Sequence, residues 1–312
     1  MQQNLAFLFP GQGSQRIGML ADAHEAFADV REAFSEASEA LGYDLWALVS
    51  AGEADTLNLT EYTQPALLTA SVALWRAWLS AGGAMPSALA GHSLGEFSAL
   101  CCAGVFSLAD AVCLVRERGR FMQTAVPVGE GAMAAVIGLS DEDVVATCDR
   151  VAAQRSEVLR AVNFNSPGQV VVAGHAGAVE AAEEALKEAG AKRVMPLPVS
   201  APFHTSLMTP AGERLSEVLD GIDMQAPAIP VVHNVNARTE SDVAEIRALL
   251  VKQIAAPVLW TDCVGALRDA GASQFVECGA GKVLGGLLKR MDRSLGCAYL
   301  EQPDDLRAAA VA

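Results

Sequence analysis

Short apolar runs alternate with amphipathic stretches along most of the chain. Residues Leu5 to Phe9 form an apolar run that ends at Pro10, which is typical of a buried strand. Helical periodicity extends from Ala26 to Leu41, and a second helix opens at Thr63 and ends near Gly82. This alternation predicts an α/β fold with a parallel sheet.

The pattern changes after Gly131, where shorter strands and helices follow one another closely. Their order is βαββαβ, the ferredoxin-like pattern. We therefore expect a ferredoxin-like subdomain at residues 128–196, inserted into a larger domain made of residues 1–127 and 197–312. The predicted elements of the insertion are a strand at 133–139, a helix at 140–153, strands at 158–163 and 169–174, a helix at 177–189 and a strand at 193–197.

The strongest chemical signal is the pentapeptide Gly91-His92-Ser93-Leu94-Gly95, which fits the nucleophile-elbow pattern G-x-S-x-G. An apolar run precedes it and an amphipathic segment follows, so Ser93 is predicted at a sharp strand-to-helix turn. The helix start would aim backbone N–H groups and the positive end of the dipole at a developing oxyanion. The alternative is a Gly-rich packing turn with an incidental Ser.

A Gly-rich turn, Gly11-Gln12-Gly13, follows the first predicted strand. In a parallel sheet, this position lies at the carboxyl edge, where ligands bind. The turn is too short for G-x-G-x-x-G and lacks a following Lys-Ser/Thr, which argues against a phosphate loop. We interpret the backbone of Gln12 as a second source of oxyanion donors.

Two further residues suggest chemistry. Arg118 lies within the apolar arc of a helix that begins near Ser107, and a buried Arg is costly unless an anion pairs with it. That anion is either a buried acidic side chain or a substrate carboxylate, which the planar guanidinium binds well. His204 ends a loop stiffened by Pro198 and Pro202, and it is either a structural loop residue or a general base.

Composition narrows the function classes. The 312 residues are 52% hydrophobic and 19% charged, enough for one large domain or two smaller ones. We expect a cytoplasmic protein, because no apolar run is long enough to span a membrane and the N-terminus lacks signal-peptide features. The seven Cys without C-x-x-C pairs argue against a disulfide framework or a zinc site. A formal net charge of −15 argues against nucleic-acid or membrane binding.

Several motifs along the chain together resemble one family, the malonyl-CoA:acyl carrier protein transacylases of fatty acid synthesis. This resemblance implies an α/β-hydrolase-like core with a ferredoxin-like insertion, in agreement with the pattern above. The motifs are F-P-G-Q-G-S-Q at 9–15, T-Q-P-A at 63–66, G-H-S-L-G-E at 91–96, R-G-R-F-M-Q at 118–123, N-F-N-S-P-G-Q-V-V at 163–171, P-F-H at 202–204, H-N-V at 233–235 and E-C-G-A-G-K-V-L at 277–284.

The resemblance implies the catalytic roles. Ser93 would be the nucleophile and His204 its general base, and the backbone amides of Gln12 and Leu94 would form the oxyanion hole. The backbone carbonyl of Gln253, a residue also implied at the substrate site, would orient His204 in place of a triad acid. No acid for that role is obvious from the sequence between the nucleophile and the base.

The resemblance also implies the residues that bind substrate. Arg118 would grip the malonyl carboxylate, and His92, Phe203 and Asn163 would contribute to the site. His92 either contacts substrate or only packs against the elbow. Leu94 and Phe203 resemble the residues at these positions in malonyl-selective relatives. A bulky Phe203 would crowd the α-methyl group of methylmalonyl.

The implied reaction is transfer of malonyl from malonyl-CoA to the phosphopantetheine thiol of acyl carrier protein, through malonyl-Ser93 in ping-pong order. We expect a monomer without a cofactor of its own. Because that carrier is acidic, we predict that it docks on a basic cluster of Lys282, Lys289, Arg290 and Arg293, the alternative being a solvated helix face.

Three other functions stay open at this point. An acyl hydrolase or thioesterase could use the same elbow, but it would need a triad acid and has no use for Arg118. A transacylase of polyketide synthesis or malonate decarboxylation would use the same chemistry with a different partner. A binding module that kept only the fold would leave Ser93 unreactive.

Overall fold

The computed structural model describes residues 2–199 and 201–310. Residues 1 and 311–312 of the expected larger domain lie outside these ranges, as does Ser200 in the loop before His204. The strands are β1 Gln2–Phe9, β2 Pro86–Gly91, β3 Gly131–Ile137, β4 Leu159–Ser166, β5 Gln169–His175, β6 Arg193–Pro196, β7 Val231–Val232, β8 Gln274–Glu277 and β9 Gly296–Tyr299.

Helices precede, separate and cover these strands. None of them in the described ranges has the length and hydropathy needed to cross a bilayer. The α-helices are α1 Ala21–Ala26, α2 Ala28–Leu41, α3 Leu45–Ala51, α4 Ala54–Leu57, α5 Thr60–Ser80, α6 Leu94–Cys102, α7 Leu108–Gln123, α8 Asp141–Arg155, α9 Ala176–Glu188, α10 Thr209–Asp220, α11 Val243–Gln253, α12 Trp260–Asp269, α13 Val283–Met291 and α14 Pro303–Ala310.

The larger sheet has five strands in the order β7-β2-β1-β8-β9, and every neighbouring pair is parallel. Strand β1 lies at the centre of the sheet because its side chains are apolar on both faces. Phe7 and Phe9 point into one apolar core, and Ala6 and Leu8 point into another on the opposite face. Helices cover both faces, as a parallel sheet requires. The predicted α/β fold with a parallel sheet is confirmed.

The smaller sheet has the order β4-β5-β3-β6 and is antiparallel throughout. With α8 and α9 packed on it around a separate apolar core, it has the predicted βαββαβ arrangement. The domain limits at 128 and 196 stay a prediction, since the described contacts join the two sheets closely.

Edge strand β4 is hydrogen-bonded to the segment that precedes α12 in the larger part of the molecule. Val258 donates its N–H to the carbonyl of Val162 (2.8 Å), and Phe164 donates its N–H to the carbonyl of Val258 (3.0 Å). The hydroxyl of Thr261 donates to the carbonyl of Phe164 (3.1 Å). A parallel bridge therefore connects the insertion to the main body at a point far from its two chain connections.

Some predicted elements differ from those observed. The helix predicted from Ala26 to Leu41 breaks at Phe27, whose extended backbone (φ −122°, ψ 128°) separates α1 from α2. The strand predicted over Val231 to Val235 is only Val231–Val232, because His233 and Asn234 turn away to contact the site. Helices α3, α4, α10 and α12 and strand β9 are not among the predicted elements.

Candidate active site

Ser93 occupies the sharp turn between β2 and α6, with φ 51° and ψ −106°. A left-handed backbone at a non-glycine residue costs about 1–3 kcal/mol and persists only where its surroundings impose it. Here, close packing imposes it. A Cβ added to Gly91 would lie 1.9 Å from the carbonyl oxygen of Gly95, and one added to Gly95 would lie 2.0 Å from the carbonyl oxygen of Phe9. Only glycine fits at these two positions of the pentapeptide.

Asn234 holds the turn from the neighbouring strand end. Its side-chain carbonyl accepts from the Ser93 N–H (2.7 Å), and its amide donates to the Gly91 carbonyl (2.7 Å). The Leu94 N–H belongs to the first residue of α6, where amides have no partner within the helix. Leu94 and Gln12 line the same cavity as Ser93, and the oxyanion hole expected from their two amides stays a prediction.

His204 lies beside the nucleophile, with 2.8 Å between its Nε2 and the Ser93 Oγ. Its Nδ1–H donates to the backbone carbonyl of Gln253 (2.9 Å), which leaves Nε2 free to accept a proton. The residue is buried and has a left-handed backbone (φ 64°). Burial and the nearby charge of Arg118 lower the pKa of His204 to about 3, so it is a neutral base in the free protein.

The guanidinium of Arg118 is only 1% exposed and reaches the nucleophile from α7. Its Nη1 donates to Gln64 (2.8 Å), and its Nη2 donates to Gln253 (2.9 Å) and to the Ser93 Oγ (3.2 Å). Its Nε has no hydrogen-bond partner among the described residues. Burial lowers the pKa of Arg118 to about 9, while the charge of Glu96 raises it.

One of the two interpretations of Arg118 was a direct ion pair with a buried acidic side chain, and no such pair occurs among the described residues. The polar contacts of Arg118 there are Gln64, Gln253 and the Ser93 hydroxyl. Its face also lies 5.0 Å from the centre of the Phe97 ring. A buried cation with a spare donor, open to a cavity, is suited to an incoming anion.

These groups surround a cavity of about 110 Å³. The sequence-predicted residues Asn163 and Phe203 line it, whereas Gln253 is not among the lining residues but hydrogen-bonds to three of them, Ser93, Arg118 and His204. His92 lines it too, but its Nε2 pairs with the side chain of Asn165 (2.7 Å). The lining is Gln12, Gln64, His92, Ser93, Leu94, Arg118, Met122, Met133, Asn163, Leu197, Val199, Phe203 and His204.

Sequence reasoning missed four polar residues around the nucleophile. Gln64, Glu96, His233 and Asn234 are buried, and each hydrogen-bonds to a site residue or to another member of this group. The available signal was a polar side chain inside a run of otherwise buried positions, which is costly without a partner. Glu96 was passed over because an acid in the first turn of a helix is usually explained by the helix dipole.

No group of three or more His, Cys, Asp or Glu side chains within the described ranges is arranged to hold a metal ion. The site brings together a serine, a neutral histidine and a buried guanidinium. That set suits attack on an activated acyl group that carries an anionic end.

The sequence from residue 6 to residue 294 matches the family model for the acyl transferase domain. The chain belongs to this acyl transferase family. Among curated relatives, this acyl transferase is 55% identical over 304 residues to the malonyl CoA-acyl carrier protein transacylase of Salmonella typhimurium, which covers 97% of this chain and 98% of the relative. It is 54% identical to the protein of that name from Escherichia coli strain K12, over the same shares of both chains.

Solved structures agree along the full length of the acyl transferase. The malonyl CoA-acyl carrier protein transacylase from Coxiella burnetii aligns with a TM-score of 0.97 at 44% identity, covering 99% of this chain and 97% of that one. A malonyl-transacylase in complex with a type II PKS acyl-carrier protein aligns with a TM-score of 0.97 at 50% identity, covering 99% of each. The predicted family and the predicted acyltransferase activity are confirmed.

Proposed function

We infer that this acyl transferase moves malonyl from malonyl-CoA to the phosphopantetheine thiol of acyl carrier protein and so supplies fatty acid synthesis. The names of its relatives state this activity. One observation in the site carries the choice of acyl group: the buried guanidinium of Arg118 is 3.2 Å from the nucleophilic oxygen and has an unused donor. A malonyl group places a carboxylate a short distance from its thioester carbonyl and would occupy this position.

In the first half-reaction, Nε2 of His204 takes the proton of Ser93 as Oγ attacks the thioester carbonyl. The carbonyl oxygen becomes an oxyanion between the amides of Gln12 and Leu94. When the tetrahedral intermediate collapses, the C–S bond breaks and the imidazolium returns its proton to the sulfur of CoA. The product is a malonyl ester on Ser93.

The malonyl carboxylate also changes the base. In the free protein, the charge of Arg118 is one reason why the pKa of His204 is lowered to about 3. A carboxylate paired with Arg118 neutralises that charge, so the pKa of His204 rises toward its ordinary value. Substrates that carry a carboxylate therefore meet a stronger base than substrates that lack one.

In the second half-reaction, the phosphopantetheine thiol enters where CoA left. His204 takes the thiol proton, sulfur attacks the ester carbonyl, and Ser93 Oγ leaves and regains the proton. Water at this stage would give malonate instead of a thioester. The partner of His204 is a backbone carbonyl rather than a triad acid, which supports transfer over hydrolysis.

Selectivity for malonyl over methylmalonyl follows from the apolar wall. Phe203, Met122 and Met133 line the cavity with Leu94, and an added α-methyl group would have to displace one of them. One methyl group in such a pocket contributes about 1–3 kcal/mol of discrimination.

For the carrier protein, we propose docking at a basic groove of about 760 Å³ between the smaller sheet and α13. The predicted residues Lys289, Arg290 and Arg293 line it together with Lys192 and Arg193 from the insertion. These five cations on a chain of net charge −15 offer a local patch for an acidic partner.

Lys282, the remaining predicted docking residue, lies over the Tyr299 ring at 4.8 Å and is not among the residues that line the groove. The double variant Lys289→Glu with Arg290→Glu should raise the KM for carrier protein at least tenfold while leaving the KM for malonyl-CoA unchanged. The exposed Lys252→Glu serves as the control. An unchanged KM for carrier protein would refute docking at this groove.

We further propose that the protein works in the cytoplasm as a monomer and without a cofactor of its own. The molar mass of the purified protein, measured by light scattering, tests the monomeric state. Full malonyl transfer by dialysed, metal-free protein tests the absence of a cofactor.

The function itself is tested by intact mass after mixing with malonyl-CoA. Wild type should gain one malonyl group, Ser93→Ala none, and Arg118→Ala much less. Adding acyl carrier protein should discharge the adduct onto the carrier. Release of free malonate with no transfer would favour the thioesterase, and a wild type without any adduct would remove malonyl-CoA as the substrate.

A further inference from the structure

Beneath the nucleophile lies a carboxylate that the reaction scheme above does not use. Glu96 is in the first turn of α6, three residues after Ser93, and is fully buried. Its Oε2 accepts from the side chain of Gln253 (2.8 Å) and from the N–H of Asn234 (3.0 Å). Its Oε1 accepts from Nδ1 of His233 (2.7 Å). A buried carboxylate with this many directed donors fixes the orientation of each of them.

Gln253 is the group that Glu96 orients with the most effect on the site. Because a carboxylate only accepts hydrogen bonds, the NH₂ end of the Gln253 amide must face Glu96, and it also donates to the carbonyl of Ser93 (3.0 Å). The oxygen end of the amide then faces Arg118 and accepts from it (2.9 Å). With the amide reversed, an NH₂ group would face the guanidinium and repel it.

The same residue positions the base. The backbone carbonyl of Gln253 accepts from Nδ1 of His204 at 2.9 Å. Gln253 therefore contacts the nucleophile backbone, the carboxylate-binding Arg118 and the general base at once. Glu96 holds the side-chain amide of Gln253 from the side away from Arg118.

Charge adds to the geometry. Glu96 and Arg118 are opposite charges on either side of one amide group, and the Glu96 charge raises the pKa of Arg118 against the effect of burial. The other titratable groups that face Glu96 are His233 and, from α12, the buried thiol of Cys263, whose pKa is raised by burial. His204 lies beyond Gln253.

We propose that Glu96 is a positioning residue for malonyl transfer, which orients Gln253 so that Arg118 and His204 are held against Ser93, and whose charge stabilises the buried guanidinium across the Gln253 amide. This inference rests on the proposed function, since its consequence is stronger binding of a carboxylate-bearing acyl group.

The chain offers a variant that removes only the charge. In Glu96→Gln, the amide oxygen can take the donors of Gln253 and Asn234, and the NH₂ group would face Nδ1 of His233. That histidine can move its proton to Nε2, which has no hydrogen-bond partner among the described residues. Glu96→Gln therefore keeps the shape and the hydrogen bonds of the network. Glu96→Ala removes both, and the exposed Glu213→Gln is the control.

The readouts are kcat and KM for malonyl-CoA and the rate at which a fluorophosphonate labels Ser93. In Glu96→Gln, KM for malonyl-CoA should rise about tenfold, because Arg118 loses the anion across the Gln253 amide, with a smaller effect on kcat and on labelling at pH 7. In Glu96→Ala, kcat and labelling should both fall at least tenfold, because Gln253 no longer fixes His204. Glu213→Gln should match wild type in both.

A wild-type KM for malonyl-CoA in Glu96→Gln would overturn the charge role. Labelling of Glu96→Ala at the rate of Glu96→Gln would overturn the positioning role. Failure of the proposed function is a separate result, namely wild type that labels normally but forms no malonyl adduct. The labelling comparison of the two Glu96 variants then still decides the positioning role.

Discussion

Replacing Arg118 with Ala should change which acyl-CoA the protein uses more than how fast it reacts in general. A guanidinium has five N–H donors. In the free protein, Nε has no described partner, and the Nη2 bond to Ser93 is the longest of the three at 3.2 Å. A bound carboxylate can therefore take at least these two donors without disturbing Gln64 or Gln253.

Two charge-assisted hydrogen bonds at about 1.5–3 kcal/mol each amount to about 3–6 kcal/mol. At about 1.4 kcal/mol for each factor of ten, kcat/KM for malonyl-CoA should fall roughly 10²- to 10⁴-fold. Acetyl-CoA has no carboxylate, so its acylation rate should change by less than about tenfold, the worth of the single bond to Ser93. Arg118→Lys, which keeps a charge but loses the fork, should lie between the two.

The assay is the rate of adduct formation by intact mass with malonyl-CoA and acetyl-CoA in parallel. Arg120→Ala is the matched control, because Arg120 lies on the same helix but is exposed and paired with Glu117. Equal losses with the two substrates would refute the reasoning, since they would mean that Arg118 acts on Ser93 rather than on a substrate carboxylate.

Four further predictions concern the elbow and the base. Because burial and Arg118 lower the pKa of His204 to about 3, fluorophosphonate labelling should stay constant from pH 8 down to about pH 5, and a decline centred near pH 6.5 would contradict it. Because the imidazole of His204 takes up a proton near pH 6.5 in the unfolded chain but only near pH 3 in the folded protein, the stability that neutral His204 contributes is complete above pH 6.5 and is lost as the pH falls toward 3. The free energies of unfolding of wild type and His204→Gln, measured in urea, should therefore converge as the pH is lowered through that window. Asn234→Ala removes two buried hydrogen bonds and should lower the free energy of unfolding by about 2–3 kcal/mol and slow labelling, which a wild-type midpoint in urea would disprove. Gly91→Ala should prevent folding because its Cβ would overlap the backbone of α6, whereas Gly265→Ala meets nothing within 4 Å and should be neutral or stabilising in a thermal melt.

The sequence was most informative where one local rule governs the structure. The elbow needs two glycines and a serine in five residues, so Ser93 could be identified before any tertiary contact was known. Arg118 was detectable because a charge on an apolar arc requires an explanation. The βαββαβ order of the insertion followed from turn residues between short strands.

The network below the nucleophile could not be predicted because it joins residues far apart in the chain. Glu96, His233 and Gln253 come from different elements, and only their packing shows that each is the partner of another. The role of Gln253 toward His204 uses a backbone carbonyl, which every residue has, so no side-chain pattern indicates it. Short elements such as α4 carry too few residues for a period to appear.

The bridge between β4 and the segment around Val258 bears on how this chain could be engineered. Two of the cavity residues, Met133 and Asn163, belong to the smaller sheet, and Asn163 lies at the bridge itself. The insertion is thus a wall of the acyl pocket rather than an exchangeable module. A chimera that takes residues 131–196 from a relative should also take the relative's segment that corresponds to Val258. Otherwise the wall of the pocket would pair with a main-body segment from a different protein.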